Sequence, residues 1–159
     1  MYTKNHDPNY FYDCPCEGNC GSFALNVKEW YISDRDFDNT DIAWDMEIQG
    51  YDLEAILDYL TSKNVEQILE DFTDEIRIVT EENEVKKDEE LIAFRVGVFD
   101  DDFEEIDSDF HFRVKRGGQW MEKCGSTEVR ECELEKDKFW SNSSGEIYNG
   151  PIVFFAKKI

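Results

Sequence analysis

The sequence predicts an α+β fold, with N-terminal helices packed on a mainly antiparallel sheet, and three observations carry that expectation. Apolar residues recur at helical spacing through the first half of the chain and at a period of two through the second. Gly117-Gly118 separates two alternating runs and marks a two-residue hairpin. Pro8, Pro15 and Pro151 lie near the ends, and no repeat or Gly/Ser-rich linker divides the 159 residues, so a single domain over 1–159 is expected.

Each element has its own signal. The segment through Gly18 is rich in turn formers and aromatics, and Asn19 is placed to cap a helix that starts at Cys20 and carries Phe23, Ala24 and Val27 at helical spacing. Residues 33–50 are acidic and aperiodic. Leu53, Ile56, Leu57 and Leu60 then mark one amphipathic helix, and Val65, Ile68, Leu69 and Phe72 a second, with Asn64 and Gln67 as its capping box. Strands follow at Ile76–Ile78, Leu91–Phe99, Asp109–Arg116, Gln119–Cys124 and Pro151–Lys157, the last with its proline at the first position and its place inside the sheet. Helices followed by strands favour α+β over a doubly wound sheet. The Gly-Gly turn also sets a register: Lys115 faces Trp120, Val114 faces Met121, Arg113 faces Glu122, and an unbulged continuation brings His111 to Cys124.

Composition narrows the function. Hydrophobic residues at 40%, with twelve Phe and four Trp, supply one core despite 35% charged residues. No apolar run is long enough to span a membrane, and the opening MYTKNHDPNYFYD lacks the apolar core of a secretory signal, so a cytoplasmic protein is expected. Five Cys in no secreted framework fit reduced thiols. A formal charge of −21 opposes direct binding of nucleic acid or anionic lipid. The same charge suits a basic protein surface, including one that normally holds DNA, although a solvated, highly soluble surface is the plainer account of it.

Cys20 and His111 are the candidates for chemistry. A thiol at a helix N-terminus sits at the positive end of the dipole, where the thiolate is stabilised. An imidazole on the polar face of a strand takes the thiol proton, and Glu122 or Gln119 on the adjoining strand orients it. Plainer roles exist for each: Cys20 as a small buried hydrophobe, His111 as a polar strand residue, Glu122 as the cross-strand partner of Arg113.

Asn19-Cys20-Gly21-Ser22-Phe23-Ala24-Leu25-Asn26 resembles the Asn-Cys-x-x-aromatic-Ala-Leu-Asn segment around the nucleophile of small papain-like proteins of phages and bacteria. Asp109-Phe110-His111-Phe112, followed by Gly118, Trp120, Lys123 and Gly125, resembles the His strand, turn and Trp-x-x-Lys-x-Gly strand of that group. The arrangement is similar, more distantly, to NlpC-type peptidases and amidases. The likeness implies a papain-like core and a cysteine peptidase or amidase acting on a peptide or protein substrate, with Cys20 as nucleophile and His111 as base, in a host cytoplasm if phage-encoded. Glu122 stands where the group often has His. The contrasting expectation is a non-catalytic acidic inhibitor, a nucleic-acid mimic that occupies a basic host or defence protein.

Two metal readings carry less. Cys14, Cys16 and Cys20, completed by His6, Cys124 or Cys132, offer four ligands for zinc, but Cys-Pro-Cys-x-x-x-Cys is not a zinc spacing, and no metal or other cofactor is expected. Asp34, Asp36, Asp38 and Asp45 lack the Gly and bidentate Glu of a calcium loop. Seven acids crowd residues 100–109 before His111, where they form a soluble loop or attract a basic partner.

Overall fold

The computed structural model describes residues 2–32, 38–100, 106–142 and 145–159. Among these the helices are α1 (Tyr10–Asp13), α2 (Cys20–Leu25), α3 (Asn39–Ile48) and α4 (Leu53–Asp71). The strands are β1 (Ile76–Val79), β2 (Glu89–Asp100), β3 (Ile106–Arg116), β4 (Gln119–Lys123), β5 (Val129–Glu131), β6 (Trp140–Ser141), β7 (Ile147–Tyr148) and β8 (Val153–Lys158). Six strands form one sheet in the order β1-β8-β2-β3-β4-β5, each neighbouring pair antiparallel, while β6 pairs with β7. The α+β class and antiparallel sheet agree with the sequence-based expectation. No helix among the described residues is long and apolar enough to cross a membrane.

The helix starts follow their caps. Asn19 Oδ1 accepts from Ser22 N at 2.9 Å and Ser22 Oγ from Asn19 N at 3.2 Å, a reciprocal box that opens α2 at Cys20. Asn26, left-handed at φ 58°, closes it. α3 lies in the stretch expected to be aperiodic. Asp38 caps it, accepting from Thr40 N and Asp41 N, and its apolar residues divide between a buried Ala43 and exposed Trp44 and Ile48, so no single stripe marks it.

The two helices expected over 53–72 are one. Asn64, expected as a cap, instead points into the core, where its Nδ2 donates to Leu60 O at 2.7 Å and to Asn39 Oδ1 at 3.1 Å. A polar residue at a core-facing position interrupts the apolar count without interrupting the helix.

The hairpin register is the expected one: Arg113 opposite Glu122, Val114 opposite Met121, Lys115 opposite Trp120. Gly117 and Gly118 have φ of +63° and +79°, the pair of positive values such a turn demands. β8 lies between β1 and β2, inside the sheet, and begins at Val153, two residues later than expected.

Alternation along the strands divides the sheet into two faces. Ile92, Phe94, Val96, Phe112, Val114 and Phe155 join Phe23, Leu25, Ile56, Leu60 and Ile68 in the main core under the helices. Each such large apolar side chain contributes about 1.5–3 kcal/mol on burial. On the reverse face Ala93 packs against Trp140 and Tyr148, which the excursion between β5 and β8 lays over the sheet.

Candidate functional site

Strand parity places His111 and Arg113 on that reverse face, opposite to Phe110 and Phe112. The hairpin register then sets Glu122 directly across from Arg113 and diagonally across from His111. His111 Nε2 and Glu122 Oε1 are 2.7 Å apart, and both residues are 2% exposed. Arg113 Nε donates to the same oxygen at 3.1 Å, and Arg130, from β5, donates to Oε2 at 2.8 Å. The imidazole stacks on Tyr148, 5.1 Å between ring centroids, and meets the edge of Trp140 at 6.1 Å.

This arrangement decides the protons. Burial pushes the Glu122 carboxyl up, but the His111 hydrogen bond and the charges of Arg113 and Arg130, joined by that of His111 once acid protonates the ring, outweigh it and bring it to about 2. Burial pushes the imidazole down, against the pull of Glu122. A carboxylate therefore accepts from Nε2–H of a neutral ring, which leaves Nδ1 without a proton and free to accept one.

Cys20 stands at the margin of β3 that β4 leaves open beyond Lys123; its Sγ is 3.9 Å from Phe110 O. The neighbourhood is tightly fixed. Asn19 Nδ2 donates to Tyr31 O at 2.8 Å, and a Cβ on Gly21 would crowd Tyr31 at 2.9 Å and Phe112 at 3.2 Å. Lys123 is buried and donates to both Gly18 O and Gly125 O, joining the segment before Cys20 to the one after β4.

The thiolate expected at the start of α2 is reversed. Burial, and after it the negative charge of Asp109, push the Cys20 thiol above its ordinary range, and a helix of six residues offers little dipole against them.

Cys20 and His111 line one groove of about 530 Å³, together with Trp30, Asp109, Cys124 and Glu146. Gln119 lies at the turn end of the hairpin, where its amide donates to Trp120 O and Cys132 O at 3.2 Å each, so the side chain beside the imidazole is Glu122. Three further groups escaped sequence reasoning: Arg130, Tyr148, and Asp109 as a groove residue. Cys124, which the hairpin register carried on from Glu122 brings to His111, lines the same groove. Tyr148 reaches the site on a two-residue strand that no local pattern announces.

Among the described residues, His111, Glu122 and Cys124 form a group whose ligand-type atoms lie within 4.8 Å of one another. The Glu122 carboxylate is already occupied by Arg113 and Arg130, and Arg130 also donates to Cys124 Sγ at 3.6 Å. Two guanidiniums at this carboxylate oppose a cation there, and the donor set fits a hydrogen-bond network better than a metal centre. Of the Cys set considered for zinc, Cys14 and Cys16 are exposed and Cys20 is buried. Asp34 and Asp36 of the calcium reading, and Asp101, Asp102, Glu104 and Glu105 of the acidic run, lie outside the described residues; Asp38 caps α3.

Compared with models of protein families, with curated proteins and with solved structures, the chain matches none of them.

Proposed function

We infer that this chain is a papain-like thiol hydrolase that cleaves a peptide or amide bond, with Cys20 as nucleophile, His111 as base and Glu122 as the residue that positions the imidazole. The observation that carries the reading is the Glu122 carboxylate on His111 Nε2 at 2.7 Å, at the edge of a groove that Cys20 also lines. A carboxylate there does for imidazole what the third member of a catalytic triad does: it selects the tautomer and stabilises the imidazolium that forms.

In this reading the thiol rests protonated, and its proton moves to His111 Nδ1 as Sγ bonds to the substrate carbonyl carbon. The imidazolium then protonates the departing amine as the carbon–nitrogen bond breaks, leaving a thioester on Cys20. Water attacks the thioester with Nδ1 again as acceptor, and the acid product and the thiol are released. Hydrolysis of a fluorogenic peptide-amide library is the test. Activity lost in Cys20→Ala and His111→Ala, and lowered about 10²-fold or more in Glu122→Gln, is expected; turnover that survives Cys20→Ala contradicts the assignment.

A second reading has its own support. Residues 38–62 carry Asp38, Asp41, Asp45, Glu47, Asp52, Glu54 and Asp58 with no Lys or Arg, and α3 leaves Trp44 and Ile48 exposed among them. Such a face suits the basic groove of a DNA-handling protein. Binding that weakens with salt and is unchanged in Cys20→Ala supports this role; absence of binding at low salt removes it.

A further inference from the structure

The groove that holds Cys20 and His111 is electrically one-sided. Asp109 and Glu146 line it, and among its described lining residues there is no Lys or Arg. Arg113 and Arg130 each donate Nε to Glu122; Arg113 also donates to Glu133 O, Leu134 O and Glu135, and Arg130 to Cys124 Sγ at the groove wall. Asp109 and Glu146 meet at Tyr148, whose hydroxyl donates to Asp109 Oδ2 at 2.9 Å and lies 3.3 Å from Glu146 Oε2; one proton cannot serve both carboxylates. Asn142 Nδ2 donates to Glu146 Oε2 at 2.7 Å and fixes that side chain. Trp30 and Ile32, both exposed, complete the same groove with apolar surface.

We propose that this groove selects substrates bearing a primary amine on an aliphatic stem, with the ammonium group held between Asp109 and Glu146 and the stem covered by Trp30 and Ile32. The proposal rests on the hydrolase reading for the chemistry at Cys20 and deepens it by naming the substrate class. An ammonium brings three N–H donors and a positive charge to two carboxyl groups that have no cationic partner among the described lining residues of the groove.

Recognition and reactivity are then linked. The charge of Asp109 is one of the causes that hold the Cys20 thiol protonated. A bound ammonium offsets that charge, so the correct substrate eases ionisation of its own nucleophile, while a neutral or anionic one leaves the thiol at rest. The Asp109 carboxyl is itself pushed up to about 7, first by burial and then by Glu146, so the cation site strengthens as pH rises through that value. The groups facing Asp109 are Glu146 and Tyr148 from the β6–β7 excursion and Cys20 from α2.

The test times modification of the chain by cationic and anionic methanethiosulfonates of matched size. Cys14 and Cys16, exposed on the same molecule, report the effect of overall charge alone. At Cys20 the cationic reagent is expected to be favoured at least about tenfold more than at those reference thiols. That excess grows between pH 6 and pH 8 and disappears in Asp109→Asn/Glu146→Gln. A Ser126→Cys reporter on the exposed side of the groove, in a Cys20→Ala/Cys124→Ala background, reads the same field if Cys20 itself reacts too slowly to time. Equal preference at the groove and reference thiols overturns the proposal. Peptide-amide turnover separates the two claims: hydrolysis that is indifferent to an amine removes the selectivity and leaves the hydrolase, whereas charge preference without turnover removes the hydrolase alone.

Discussion

Glu122 is the residue on which most of the reverse face depends, and replacing it by Gln removes one charge while keeping its shape. The carboxylate is nearly inaccessible and takes hydrogen bonds from His111, Arg113 and Arg130. Its carboxyl stands at about 2 in place of an ordinary 4.5. At about 1.4 kcal/mol for each tenfold change in proton affinity, this amounts to about 3 kcal/mol of folding stability, in line with the cost of removing one partner from a buried ion pair. Because the folded carboxyl is depressed, this stability is fully present above pH 4.5 and is lost as pH falls toward 2. Urea unfolding of the native chain and Glu122→Gln, followed by tryptophan fluorescence from pH 7 to pH 3, reads it directly. The variant is expected to be about 3 kcal/mol less stable at pH 7, with the gap closing below pH 4.5. A gap under 1 kcal/mol, or one that does not change with pH, refutes the view that His111 and the two arginines are organised by a buried charge.

Further outcomes follow from individual contacts. Lys123→Met leaves Gly18 O and Gly125 O without their shared donor, so a loss of about 2 kcal/mol and faster hydrogen exchange on both sides of the groove are expected. Gly97→Ala places a methyl group against Ile147 O, and a shift of the β6–β7 excursion should loosen Tyr148 from His111, seen as a changed His111 ring chemical shift. Asp38→Ala removes the cap of α3 at a cost of about 1 kcal/mol by thermal melting. Iodoacetamide at pH 7 should label exposed Cys14 and Cys16 well before buried Cys20, and rapid labelling of Cys20 in the free protein contradicts a thiol held protonated by burial and Asp109.

The parts of this fold that could be read in advance are those dictated by local chemistry. Gly117-Gly118 admits a turn with two positive φ values, and from that turn the pairing of Arg113 with Glu122 follows by counting. Asn19 before Cys20-Gly21-Ser22 marks a helix start because its side chain satisfies an amide that the helix leaves unpaired. Where tertiary contacts decide, the sequence is silent or misleading. Asn64 looks like a helix boundary because its core position opposite Asn39 is invisible in one dimension. α3 lacks an apolar stripe, and β6 and β7 are two residues each, too short for any periodicity. The site divides in the same way. His111 and Glu122 could be linked through the hairpin, but Tyr148 comes from a distant segment, and the raised thiol of Cys20 follows from burial and from Asp109, neither of which spacing reveals.

The central claim is that Cys20 becomes acylated with His111 as its base. Intact-mass analysis and peptide mapping after brief reaction with an activated ester such as p-nitrophenyl acetate test it most directly. The account predicts one acyl group on Cys20 that forms and hydrolyses in the native chain, is absent in Cys20→Ala, and is slowed about 10²-fold or more in His111→Ala, with Cys124→Ala little changed. Acyl groups found only on the exposed Cys14 and Cys16, or on Cys20 at a rate unaffected by His111→Ala, contradict it.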